Sequence, residues 1–285
     1  MADIKSYRPD RPHWWQWPTV LSLDAPSVAL VWQWQLARVA RFPLGWQHAF
    51  ILGVSTWLAY AADRWIEGWR LAPEKVRTPR HRFYQRTRWP ICAVWVALLA
   101  ADVSVAALHL TPREFCAGLL LLAPVLLYLL SHQLFHRDHR WRAPKEVCVA
   151  LLISGGTVVF SLAQPAASWR PLLAPLGLFF LLCFANCALI SVWEHEIDEA
   201  HGQTSLARQS RHAHKFIGTL PWALALAAAA FGLFAAPPVR AAIWCAAASG
   251  ALLGAIDLRE RRLGWQLARV LADAALLTPL LALLA

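Results

Sequence analysis

The sequence predicts an all-α, polytopic membrane protein, a single domain over residues 1–285 built as a bundle of about nine transmembrane helices. Three observations predict it. Of 285 residues, 58% are hydrophobic and 15% charged, with a mean hydropathy of +0.42; soluble domains run nearer half apolar and a quarter charged. Runs of about 20 apolar residues, the length a helix needs to cross hydrocarbon, recur with no soluble domain between them. Lys and Arg crowd alternate loops. A β-barrel is excluded, because continuous Leu/Ala/Val runs lack the alternation that barrels need.

Residues 1–19 are polar and aromatic, without the short apolar core and small-residue cleavage site of a signal peptide. They read as a cytoplasmic N-terminal segment. Spans are expected over 20–39, 47–66, 89–109, 112–134, 147–167, 171–193, 216–235, 239–256 and 266–284. Several of the 17 tryptophans close these runs, as interfacial anchors do. The loop after the second span holds Arg64, Arg70, Lys75, Arg77, Arg80, Arg82, Arg86 and Arg88. Arg137, Arg140, Arg142 and Lys145 follow the fourth span, Arg208, Arg211 and Lys215 the sixth, and Arg259, Arg261 and Arg262 the eighth. The alternate loops hold only Arg38, Arg41, Arg113, Arg170 and Arg240. The N-terminus and the even-numbered loops are therefore expected in the cytoplasm, with 67–88 and 194–215 as cytoplasmic caps. An integral membrane location is expected, in a bacterial cytoplasmic (inner) membrane.

The net charge of +10 is on this view a topology signal with some affinity for anionic membrane lipids. No basic soluble module argues for nucleic acid. All six cysteines lie inside apolar segments and no CxxC occurs, so they read as buried thiols. Cys183 and Cys187 share a helix face, where packing outweighs metal binding.

The polar chemistry converges at the cytoplasmic ends of the second and sixth spans. The second ends STWLAYAADRWIEGWR, with Asp63 and Glu67 four apart; the sixth ends SVWEHEIDEA, with Glu194 and Asp198 four apart. That spacing puts both carboxylates of a pair on one helix face. Facing pairs offer hard oxygen ligands suited to Mg²⁺ with substrate phosphates. Arginines of the same loops would hold the remaining phosphate charge. Either pair alone is better explained by neutralisation of a neighbouring arginine, as Asp63 by Arg64. Two pairs at matching depth, each followed by a basic loop, favour a site.

These residues resemble the UbiA superfamily of intramembrane prenyltransferases, and the resemblance spans nearly the whole chain. The family's first motif, NDxxDxxxD, is matched in AYAADRWIE by Asp63 and Glu67. Its second, DxxxD with a following glycine and a Ser or Thr, is matched by Glu194, Asp198, Gly202 and Ser205. A lysine opening the fifth span and a glycine eleven residues on correspond to Lys145 and Gly156. The basic RxxxRP loop is represented by RTPRHRF, residues 77–83. Ala59 and Tyr60 stand where the family has Asn and Asp, and two aspartates are replaced by Glu67 and Glu194. The resemblance implies an enzyme that ionises a prenyl diphosphate with Mg²⁺ and transfers the prenyl group to an aromatic or lipidic acceptor. Asp63, Glu67, Glu194 and Asp198 would be the catalytic metal ligands, and Lys145, Arg77, Arg80, Arg82, Tyr60 and Ser205 would contact the diphosphate. Tyr60 and Trp193 would shield the carbocation. A terpene cyclase and a non-catalytic lipid-binding or transport member are the alternatives. Glu67→Asp is expected to be tolerated or to raise turnover, since it restores the family's residue.

Other ionisable residues also lie within spans. Asp24, Asp257 and Asp273 fall in the cytoplasmic half, and Asp273 follows Arg269 by four positions, so an internal ion pair is its expected role. Acceptor recognition or proton transfer at Asp24 or Asp273 is the lesser reading. Asp102 has no evident partner in sequence. His132, His136 and His139 would share a face if the fourth span continued that far, and interfacial solvation outweighs metal binding there. His195 lies inside the second motif, where it would tune carboxylates, touch phosphate or face solvent.

Overall fold

A computed structural model describes residues 12–70, 78–134, 145–165, 168–200, 206 and 213–284, and among them there is no strand. A 3₁₀ turn leads into α1 (Trp17–Val20), and α2 (Asp24–Ala40) follows. Then come α3 (Trp46–Arg70), α4 (Pro79–Arg86), α5 (Arg88–His109), α6 (Pro112–Leu134), α7 (Lys145–Leu162) and α8 (Leu173–Trp193). The chain ends with α9 (His195–Ala200), α10 (Ala213–Phe234), α11 (Val239–Leu263), α12 (Trp265–Ala275) and α13 (Leu281–Leu284).

Six of the described helices are long and apolar enough to cross a membrane: α5, α6, α7, α8, α10 and α11. The first expected span, 20–39, divides at Ser22, whose φ of 59° is a left-handed conformation no helix continues through. The ninth is broken too. α12 stops at Ala275, and a 3₁₀ turn over Thr278–Leu280 precedes α13. Pro279 has no N–H to continue a helix, while Thr278 turns its hydroxyl to the Cys245 carbonyl at 2.8 Å and shares a 2.7 Å bond with Ser249.

The cap loop after the second span carries a helix the pattern did not announce. Thr78 Oγ1 accepts the N–H of His81 at 3.4 Å and Pro79 opens α4, an N-cap with Pro at the first helical position. The start of α6 is a capping box: Thr111 N–H donates to Glu114 Oε2 at 2.9 Å and Thr111 Oγ1 accepts from Glu114 N at 3.4 Å. Glu114 also meets Gln164 and His48, at 3.0 and 3.2 Å. Gly45 N–H donates to His48 Nδ1, which leaves Nε2–H to face Glu114. This buried knot ties α3, α6 and the end of α7 at the edge remote from the acidic motifs.

The core lies around α2, α8, α11 and α12. Trp32 and Phe179 stack with ring centroids 4.4 Å apart, and Trp32 donates its indole N–H to the Leu276 carbonyl at 2.8 Å. α10 and α11 pack through small residues, as membrane helices do. A Cβ on Gly250 would sit 2.9 Å from the Pro221 carbonyl oxygen, so the two backbones touch. α5 and α6 stand at the rim with most of their apolar side chains exposed. Asp102 of α5 is an exception: it is buried and accepts from Ser55 Oγ at 2.6 Å, the partner its own segment does not contain.

Candidate active site

α3 carries Tyr60, Asp63 and Glu67 on successive turns. α4 then folds back beneath α3, close enough that a Cβ on Gly68 would lie 3.5 Å from the His81 carbonyl oxygen. Three side chains fix α4 in place. Tyr84, 1% exposed, shares a 2.8 Å hydrogen bond with Ser22. His81 Nε2 lies 3.0 Å from Glu67 Oε2, and its Nδ1 is 2.6 Å from Thr78 Oγ1. Arg80 reaches Glu194 as a fork, with bonds of 3.4 and 3.1 Å.

Glu194 sits where α8 gives way to α9, with φ −95° and ψ 12°. The residues after it therefore begin a new short helix instead of extending the negative end of α8. Its carboxylate is buried, and Arg269 Nη1 of α12 lies 2.6 Å from both of its oxygens. Burial alone would raise this carboxyl, but the charges of Arg269 and Arg80 win and hold it well below the usual carboxylate range. Two guanidiniums against one carboxylate leave the trio with a net positive charge. The trio faces a small recess, partly open to solvent, lined by residues of α1, α4 and α12.

His81 belongs to the same electrostatic setting. Burial, then Arg80 and Arg64, push its imidazole well below its ordinary value. The contact with Glu67 is therefore a hydrogen bond from a neutral ring. Thr78 Oγ1–H donating to Nδ1 leaves the proton on Nε2, facing the carboxylate.

Arg64 turns away from its neighbour. It pairs with Asp24 at 3.6 Å and donates to Ser22 Oγ at 2.9 Å and to the Thr19 carbonyl. Asp273 accepts from Asn186 Nδ2 at 2.9 Å. The ion pair expected between Arg269 and Asp273 does not form within 4 Å, because Arg269 is committed to Glu194. Trp193, expected to shield a cation, donates its indole N–H to Asp257 Oδ1 at 3.1 Å.

Interior side chains of six helices lie within one another's electrostatic reach. Tyr60 is close to Asp24, Asp273 and Cys187. Tyr128 of α6 is close to Asp63, Glu67 and Cys187. Cys187 is close to Lys145, Glu146, Arg269 and Asp273. Of the expected site residues, then, Tyr60, Asp63, Glu67, Lys145, Arg80 and Glu194 come to one end of the bundle, with Arg82 half-buried next to His81. Arg77 and Ser205 lie outside the described residues, as do His136, His139 and the side chains of Asp198 and His132. Among the described residues no three His, Cys, Asp or Glu side chains gather tightly enough to hold a metal ion.

Sequence reasoning missed His81, Asn186 and Glu146. Glu146 is 1% exposed and accepts the Leu206 N–H at 3.1 Å, tying the start of α7 to the segment after the second motif. Its one local signal was an acid in the first turn of a helix.

No protein-family model and no curated protein matches the sequence. Solved structures do match. A UbiA homologue from Aeropyrum pernix K1, in its apo form, is 17% identical with a TM-score of 0.56, over 93% of this chain and 98% of that one. A UbiA homologue from Archaeoglobus fulgidus bound to DMAPP and Mg²⁺ is 16% identical with a TM-score of 0.54, over 95% and 99%. A UbiA homologue from Archaeoglobus fulgidus bound to GPP and Mg²⁺ is 15% identical with a TM-score of 0.54, over 95% and 100%. The chain has the fold of these homologues.

Proposed function

We propose that this integral membrane protein with the UbiA fold ionises a prenyl diphosphate with Mg²⁺ and transfers the prenyl group to an aromatic or lipidic acceptor. One observation supports the reading above the others: α4 joins the ends of both acidic motifs, Glu67 through His81 and Glu194 through Arg80. The donor set suits a hard cation in kind, being carboxylates without soft ligands. Asp63, Glu67 and Asp198 would hold Mg²⁺, and Glu194 would join them by giving up a guanidinium partner. Bound there, Mg²⁺ would neutralise charge on the departing diphosphate.

The chain's own residues supply the rest. Lys145 opens α7, where the positive end of the helix dipole adds to its charge. Arg77, Arg82 and Ser205 would add contacts to the diphosphate. Arg80 and Arg269 carry two positive charges against one on Glu194, and that surplus favours an arriving anion. The C1–O bond breaks with its electron pair going to the diphosphate. The acceptor then supplies the pair for a new bond to C1 and loses a proton. Tyr60, on the interior face of α3, shields the allylic cation from water.

The test is release of pyrophosphate from a radiolabelled prenyl diphosphate in nanodiscs, with Mg²⁺ and with EDTA. Mg²⁺-dependent release is expected. A second reading, a lipid-binding member without catalysis, is favoured by one feature: both oxygens of Glu194 are taken by arginines. Saturable binding without release would decide for it. Product masses with and without added acceptor separate transferase from cyclase.

The site is proposed to face the cytoplasm. Thr78, 2% exposed and bonded to His81, is unsuited to labelling, whereas Arg261 and Pro237 are exposed. In a cysteine-free protein, a cysteine at Pro237 should react with impermeant thiol reagents in intact cells and one at Arg261 should not. Labelling at Arg261 from outside would reverse the orientation.

A further inference from the structure

Each acidic pair consists of one aspartate and one glutamate: Asp63 with Glu67, and Asp198 with Glu194. The cap helix takes the glutamate of each pair, whose side chain is longer by one methylene. Consecutive residues of α4 do so, Arg80 at Glu194 and His81 at Glu67. His81 is the less expected of the two. It is 1% exposed, it lies in no acidic motif, and its ring is held between Thr78 and Glu67. Thr78 Oγ1 fixes Nδ1 and receives the His81 backbone N–H, while Tyr84 one turn on pins α4 to Ser22.

We propose that His81 is a positioning residue for the metal site: its Nε2–H holds the Glu67 carboxylate in the orientation in which it serves a divalent cation. This rests on the reading of Asp63 and Glu67 as cation ligands. The physical reason is conformational. A glutamate side chain has three rotatable bonds and loses ~1.5–2 kcal/mol of rotamer freedom when fixed. A ligand already held by a neighbour meets that cost before the cation arrives, and loss of such partners typically lowers metal affinity about 10–100-fold. The inference also changes the expectation for Glu67→Asp. Shortening the side chain withdraws the carboxylate from Nε2, so the substitution that restores the family's residue should here weaken the site.

The test uses Mn²⁺ as the probe, titrated by electron paramagnetic resonance into the full-length protein in nanodiscs without prenyl diphosphate. His81→Ala is expected to lower Mn²⁺ affinity about tenfold. His81→Gln, whose amide N–H sits near the position of Nε2–H, should recover most of it. Glu67→Asp should lose a similar amount, and the double variant His81→Ala/Glu67→Asp should lose no more than the worse single one, the non-additivity of side chains acting together. Wild-type Mn²⁺ affinity in His81→Ala, or losses that add in the double variant, would overturn the proposal. So would a loss that His81→Gln fails to recover, which marks a purely structural histidine. If His81→Ala does not yield folded protein, His81→Phe, which keeps a ring of similar shape but has no N–H, carries the same test. Wild-type protein that binds no Mn²⁺ overturns the metal-site reading itself and this inference with it. Intact wild-type binding that is indifferent to His81 overturns the inference alone.

Discussion

Replacing Glu194 by alanine is expected to cost ~3–5 kcal/mol of stability, the loss typical when one partner of a buried ion pair is removed. Here the remaining partners are two. The side chains of Arg80 and Arg269 are 14% and 13% exposed, and without Glu194 both charges would face each other with little water to screen them. The loss should appear as a marked fall in the thermal midpoint of the detergent-solubilised protein, followed by size-exclusion chromatography. Glu194→Gln should fall between, since the amide oxygen still accepts from a guanidinium while the charge is gone. An alanine variant as stable as the wild type would mean that the trio contributes nothing to holding α4, α8 and α12 together.

Asp63→Asn should leave stability nearly unchanged and weaken Mg²⁺-dependent binding of a non-hydrolysable prenyl diphosphate by about 100-fold, or ~2.8 kcal/mol. The substitution keeps shape and volume but removes the charge that a hard cation needs. Calorimetry in nanodiscs with and without Mg²⁺ reads it directly. The residual metal-independent binding should match that of the wild type in EDTA, because the arginines and Lys145 are untouched. Equal affinity in Asp63→Asn and wild type with Mg²⁺ present would remove Asp63 from the metal site.

These two expectations depend on contacts of very different legibility. The acidic pairs were readable because helical spacing and loop charge are both local: Asp63 with Glu67, and Glu194 with Asp198, can be seen without knowing the fold. Arg80 was readable as a basic residue of the cap loop, but not its bond to a carboxylate 114 positions away. Arg269 shows where a local rule fails. Its i,i+4 spacing to Asp273 suggested a pair worth a few tenths of a kcal/mol on an exposed helix, and a buried carboxylate on another helix outcompeted it. Asp273 then turned to Asn186, an uncharged residue that no charge pattern would single out. The breaks at Ser22 and after Ala275 were hidden for a related reason. Apolar composition continues through both, and hydropathy does not register a left-handed residue or a hydroxyl that bonds across helices. His81 was one histidine among eleven, and only its burial against Glu67 distinguishes it.

The adjacency of Arg80 and His81 bears on how this chain can change in length. Successive residues of an α-helix project about 100° apart, and α4 uses that angle to serve α3 with one side chain and α8 with the next. Inserting or deleting one residue between Thr78 and Arg80 would rotate both contacts off their carboxylates at once, although composition and charge would barely alter. Point substitutions in α4 can be graded, whereas a change of reading register there cannot. The eight residues of α4 therefore behave as a gauge block of fixed length inside a loop that would otherwise be free to vary.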